Sequence, residues 1–235
     1  MRQPKGLMMD DYNVSPFNQL PKVIIALAVV IFGLEVMFQL ATAGMLGGQG
    51  GVGWRLAAIN DFGVFNEIVD WMIANNAYPS QYLIRFVTYP LIHQGFAHAL
   101  FVTVFILAIG KMVAEVFAAW AVLVVFFASA LVGALAFTLL LNSPYPLIGG
   151  YPGVYGLIGA FTFLLWVNLA GTGSTQYRAF SFIGVLLAIQ LLFALLQGDF
   201  GSVVADLSGF AAGFLLSFVV SPGGWSRVVS KLRNR

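Results

Sequence analysis

Six apolar runs, near residues 23–46, 87–112, 116–141, 151–169, 180–196 and 202–220, are the feature that any fold of this chain must accommodate. A bilayer is crossed by a helix of roughly 20 apolar residues, and each run has that length. Lipid offers the backbone no hydrogen-bond partner, so runs of this kind are read as helices rather than strands. The expected fold is therefore an all-α membrane protein, a six-helix bundle over residues 23–220. A polar lead (1–22) precedes it and a basic tail (221–235) follows. With 60% hydrophobic and only 9% charged residues, the composition excludes a soluble domain.

The few charges carry topological information. With six spans both termini lie on one side, which then also holds Arg2, Lys5, Lys22, Lys111, Arg178, Arg227, Lys231, Arg233 and Arg235. Arg55 and Arg85 fall on the other. The positive-inside rule places both termini in the cytoplasm, and simplicity and size suggest a bacterial inner membrane. Asp10 and Asp11 precede a first span far longer than a signal-peptide core, so that span is expected to stay. A net charge of +2 carries no nucleic-acid signature. The chain has no cysteine, which removes disulfides and thiolate chemistry, and its two histidines argue against a metal centre. No cofactor is expected.

Polar residues within the spans are the candidate functional positions, because each is costly in lipid unless it faces protein or water. In the first span Glu35 and Gln39 sit one turn apart. Glu35 is either a proton or ion site or a carboxyl hydrogen-bonded to a neighbour. The glycine-rich stretch 44–53 reads as a flexible exit, followed by Trp54-Arg55. The segment NEIVDWMIAN spaces Ile68 with Met72 and Val69 with Ile73, predicting an interfacial helix anchored by Trp71. Pro90 and Gly95 suggest that the second helix proper begins near His98, leaving His93 in its entry. Gln190 is the polar marker of the fifth span, and Asp206 lies a turn and a half inside the sixth.

Glycines mark where helices can meet. Gly149, Gly150, Gly153, Gly156 and Gly159 line the start of the fourth span, and Gly209 and Gly213 form a small-xxx-small pair in the sixth. These two spans are expected to pack together, with Gly149, Gly153, Gly156, Gly209 and Gly213 as the contact positions. The buried polar set is then Glu35, His98, Tyr151 and Asp206.

Together these features resemble the rhomboid intramembrane serine proteases, over residues 20–220. In that family the second span opens Arg-x-x-Thr-x-x-x-x-His before a second His, matched by Arg85, Thr88, His93 and His98. The fourth starts Gly-x-Ser-Gly-Ala-x-Tyr-Gly, which aligns with Gly149, Gly150, Tyr151, Pro152, Gly153, Val154, Tyr155 and Gly156. The sixth carries His-x-x-Gly-x-x-x-Gly, matched by Asp206, Gly209 and Gly213. The departures fall on the chemistry. Where the resemblance implies a nucleophilic serine, a histidine base and an oxyanion asparagine, this chain has Tyr151, Asp206 and Val102. A phenol with pKa near 10 and no imidazole base is a poor nucleophile, and valine donates no hydrogen bond. Ser143 and Ser208 have no evident base. Pro152 removes an N–H from the loop.

The resemblance therefore implies a degenerate site, with no catalytic residue and with His98 the one polar group kept. His98 and Asp206 are expected to form a buried pair, with Tyr151 as third member. The expected function is a rhomboid-like pseudoprotease that binds transmembrane helices of other proteins. It would serve as an assembly or quality-control factor, or as an accessory subunit of a larger membrane complex. The tail WSRVVSKLRNR would be a lipid or partner contact. The alternatives are a protease with rearranged chemistry and a proton-coupled transporter using Glu35, His98 and Asp206.

Overall fold

The computed structural model describes residues 19–173, 175–197 and 200–224. Most of the polar lead and of the basic tail lies outside these residues, along with Arg2, Lys5, Arg227, Lys231, Arg233 and Arg235. Six helices are long and apolar enough to span a membrane: Lys22–Thr42, Phe96–Ala114, Ala119–Leu140, Tyr151–Gly171, Gln176–Leu196 and Gly201–Val220. They are called the first to sixth spans below. Among the described residues the non-helical pairing is a single antiparallel bridge between Val64 and Leu147.

The fourth span is the centre of the bundle. Val154, Leu157, Ile158 and Ala160 are all at most 1% exposed and pack with Ile24, Val102, Ile106, Val125 and Phe126 from three other spans. Apolar on every side, it reads as a helix surrounded by others rather than one with a solvated face. Glycines set how closely the others approach. A Cβ on Gly213 would collide with the backbone of Gly156, and one on Gly209 with the backbone of Pro152, so the fourth and sixth spans do meet backbone to backbone. The glycine row does not face a single partner, however. Gly153 and Gly156 abut Phe126 and Ser129 of the third span, whereas Gly159 abuts the backbone of Phe210 in the sixth.

The second span starts later than the apolar run beginning at residue 87 implies. Pro90 lacks an N–H, so the chain makes a short helix Arg85–Thr88 and a 3-10 turn Tyr89–Leu91. It then runs extended through Ile92 before the helix begins at Phe96. Further along, Ile106–Gly110 forms a π-helical turn, with Gly110 pressed against Ile24 of the first span.

The segment between the first two spans is built from short helices. The glycine stretch is not a plain flexible exit: Gly47 takes a left-handed conformation, Gly48–Gly51 forms a helical turn, and the Trp54 ring fills the space beside Gly47. Helices Trp54–Phe62 and Asn66–Ala74 follow. The second of these is the helix that NEIVDWMIAN predicts; it buries Val69 and Met72 and leaves Trp71 half exposed, edge-on to Tyr82. Asn66 fastens it to the bundle by donating to the carbonyls of Thr138 (3.3 Å) and Leu141 (2.6 Å), groups that the end of the third span leaves without helical partners. The Val64–Leu147 bridge joins the same segment to the loop before the fourth span, with N···O distances of 3.1 and 2.8 Å.

Candidate functional site

Two histidines, a tyrosine and a carboxyl gather where the second, fourth and sixth spans converge. The loop entering the fourth span is aimed by its backbone: the Gly149 N–H donates to the Tyr89 carbonyl at 3.0 Å, and the Gly150 N–H to Nε2 of His93 at 3.3 Å. Gly149 has φ +92°, and a Cβ there would lie 2.5 Å from the His98 ring, so both conformation and space demand glycine. Tyr89 is itself fixed by donating its hydroxyl to the Ala130 carbonyl of the third span at 2.7 Å. Burial drives its phenol well above the usual tyrosine range, and the nearby Asp206 charge adds to this.

Tyr151 then lies over His98, the rings stacked with centroids 5.0 Å apart and planes 19° from parallel. The rings of His98 and His93 meet in a T-shaped contact, with centroids 5.1 Å apart. His93 is 1% exposed, and burial, reinforced by the neighbouring His98, lowers its pKa to about 4. It is therefore a neutral acceptor for the Gly150 N–H. Val102, wholly buried, packs beneath Gly150, where a Cβ would come within 2.9 Å of its Cγ1.

Asp206 is engaged elsewhere. Its carboxyl accepts a 2.5 Å hydrogen bond from Nε2 of Gln190 in the fifth span, and Oε1 of Gln190 accepts the Tyr155 hydroxyl at 2.8 Å. The expected His98–Asp206 pair is not formed: the two side chains share no hydrogen bond. A carboxamide supplies the donor that Asp206 needs and an acceptor for Tyr155 at once, while His98 turns its face to Tyr151 and takes the Gln94 N–H on Nδ1 at 3.5 Å. Tyr151 is thus a partner of His98 through its ring, and no hydrogen bond links it to Asp206.

Glu35 is hydrogen-bonded to a neighbour and buried. Arg55 forms a two-pronged ion pair with it, Nη1 to Oε2 and Nη2 to Oε1 both at 2.8 Å, and Gln39 donates to Oε1 at 2.8 Å. Arg55 Nη1 also donates to the His93 carbonyl at 2.9 Å, so this clamp ties the first span and the following segment to the histidine loop. Among the described residues no hydrogen bond runs directly between the side chains of Glu35, His98 and Asp206. Ser143 closes a turn with Tyr145, and Ser208 lines a groove between the third and sixth spans; neither reaches the site. Among the described residues no three His, Cys, Asp or Glu side chains converge as metal ligands would.

Sequence reasoning did not pair Gln190 with Asp206, nor Arg55 with Glu35. The first was open to detection: both polar residues fall within two turns of where the fifth span ends and the sixth begins, so antiparallel neighbours bring them level. The second depended on how the intervening segment folds back.

The fold and site define a multi-pass helical membrane protein in which the second, fourth and sixth spans share a polar centre packed through glycine. The sequence profile of the Rhomboid domain matches residues 80–223, from the entry of the second span to the end of the sixth. The chain belongs to the rhomboid family. A comparison with curated proteins finds no significant match.

Proposed function

We propose that this protein is a catalytically inactive rhomboid-family member that binds transmembrane segments of partner proteins, as an assembly or quality-control factor or as an accessory subunit of a membrane complex. The observation carrying this reading is the pair of engagements at the centre. Tyr151 lies flat on His98, and Asp206 is held by Gln190. Hydrolysis of a peptide by this route needs a nucleophile hydrogen-bonded to a base and donors aimed at the developing oxyanion. Tyr151 has no such base partner, and Val102 fills the donor's place with methyl groups.

We place the protein in a bacterial inner membrane with both termini cytoplasmic. Arg55 and Arg85 lie in the segment before the second span, whereas Lys22, Lys111 and Arg178 lie at the opposite helix ends. Fusing a reporter that works only in the periplasm to each terminus tests this, and activity at either terminus would reverse the orientation.

The functional test is purification from the native host in mild detergent, with identification of co-purifying membrane proteins by mass spectrometry. Alongside it runs a cleavage assay on a reporter with a transmembrane helix. A stoichiometric partner without cleavage supports the reading. Cleavage that is lost in Tyr151→Phe or Asp206→Asn would overturn it.

A further inference from the structure

The fifth span is the least buried of the six spans. Of the described residues in its most apolar stretch 18% are buried, against 33 to 56% in the other five spans. Val185, Leu192, Leu195 and Leu196 turn outward, each more than half exposed. Against this sparse packing stand two directional contacts among the described residues: Gln176, which donates to the Trp166 carbonyl of the fourth span at 3.5 Å, and Gln190, whose carboxamide donates to Asp206 and accepts from Tyr155. Asp206 is 3% exposed and Tyr155 7%.

The combination constrains what can replace the fifth span there. Lipid tails donate no hydrogen bond, so separating Gln190 from the bundle onto lipid strands a buried carboxyl and a buried phenol, which is costly. A helix bringing its own carboxamide to the same depth meets no such cost, because it restores both bonds. Ser or Thr must use one oxygen for both roles, where the carboxamide offers its donor and its acceptor on separate atoms.

We propose that Asp206 and Tyr155 form a recognition site for a side-chain carboxamide, Asn or Gln, on a membrane-spanning helix of a partner protein. Gln190 fills that site when no partner is present. The inference rests on the proposed binding of transmembrane segments and adds the chemistry of the segment. The position that aligns with a general base in the family's pattern acts here as an acceptor for a partner's amide.

The probe is a synthetic leucine-based transmembrane peptide with one central Asn and a photoreactive leucine one turn away. It is compared with Thr-containing and all-leucine versions on the full-length protein in liposomes. The Asn peptide is expected to cross-link about threefold to tenfold more than the all-leucine peptide, with Thr in between, the range of a single intramembrane hydrogen bond. Gln190→Leu, which vacates the site, is expected to raise the Asn yield, and Asp206→Leu to erase the preference. Replacing a buried polar group by an apolar one of similar volume leaves bundles folded in many cases, and Gln190→Leu gives an independent readout of opposite sign. Equal yields for Asn and all-leucine peptides, or a preference that survives Asp206→Leu, would overturn the proposal. Capture of a native partner equally by wild type and Asp206→Leu would leave partner binding standing and sink this inference alone. No partner with either protein would remove the reading beneath it.

Discussion

The phenol ring of Tyr151 lies face to face with the imidazole of His98, planes 19° apart, although both side chains carry groups that would serve proton transfer if turned edge to edge. Stacking depends on the ring and not on the hydroxyl. Tyr151→Phe is therefore expected to unfold within about 0.5 kcal/mol of wild type, while Tyr151→Ala loses the stacking contribution of about 1 kcal/mol in addition to the buried area. Thermal unfolding in detergent checks the order. Tyr151→Ser is expected to show no cleavage of a transmembrane reporter, because Asp206 is bonded to Gln190.

Arg55 and Glu35 should respond asymmetrically to substitution. The carboxyl is 1% exposed and the guanidinium side chain 16%, so removing the cation leaves a buried charge without its partner. Arg55→Met is expected to cost about 3 kcal/mol, Glu35→Gln less, and the double variant Arg55→Met/Glu35→Leu less than Arg55→Met alone. A double-mutant cycle on unfolding free energy measures the coupling, and additive losses would count against the clamp.

Glycine-to-alanine substitutions should divide sharply by what stands opposite. At Gly213 and Gly209 the new methyl meets backbone, which cannot move aside, and each is expected to cost about 3 kcal/mol or more. At Gly153 it meets the ring of Phe126, and a smaller loss is expected. Gly33 has nothing within 4 Å, so Gly33→Ala should be neutral or stabilise by up to about 1 kcal/mol. Melting temperatures of the four variants test the ranking.

The buried His93 predicts a pH dependence with a definite sign. Its folded pKa is about 4, below the ordinary 6.5, so between those values the unfolded chain takes up a proton that the folded protein refuses. Stability contributed by neutral His93 is complete above about pH 6.5 and falls as the pH drops towards 4, by about 3 kcal/mol at most. His93→Gln keeps an acceptor for the Gly150 N–H and should flatten that slope. Unfolding measured across this range decides, and an unchanged slope would assign the dependence to other groups.

Much of this architecture was legible from the chain, and the reason differs by element. The spans declare themselves because bilayer thickness fixes a length, and Gly209 and Gly213 announce their contact because only glycine permits backbone approach. The start of the second span was signalled by Pro90 and Gly95, although the apolar run itself begins earlier. Polar partners were harder. His98 and Asp206 fit one another chemically, and pairing them ignored that a carboxamide from an adjoining helix satisfies the carboxyl better. Arg55 was visible as a cation, but its reach to Glu35 depends on the turns taken by the glycine stretch between them.

The π-helical turn at Ile106–Gly110 makes the second span two half-cylinders rather than one. A turn holding one extra residue rotates everything beyond it by about 100° relative to a continuous α-helix. His98 and Val102 face the polar centre, while Gly110, at the far end of the turn, is pressed against Ile24 of the first span. Deleting a single residue inside the turn, such as Leu107, would let it close into a regular α-turn with both halves keeping their facing. The local widening thus takes up one residue so that each end of the helix meets its own neighbours.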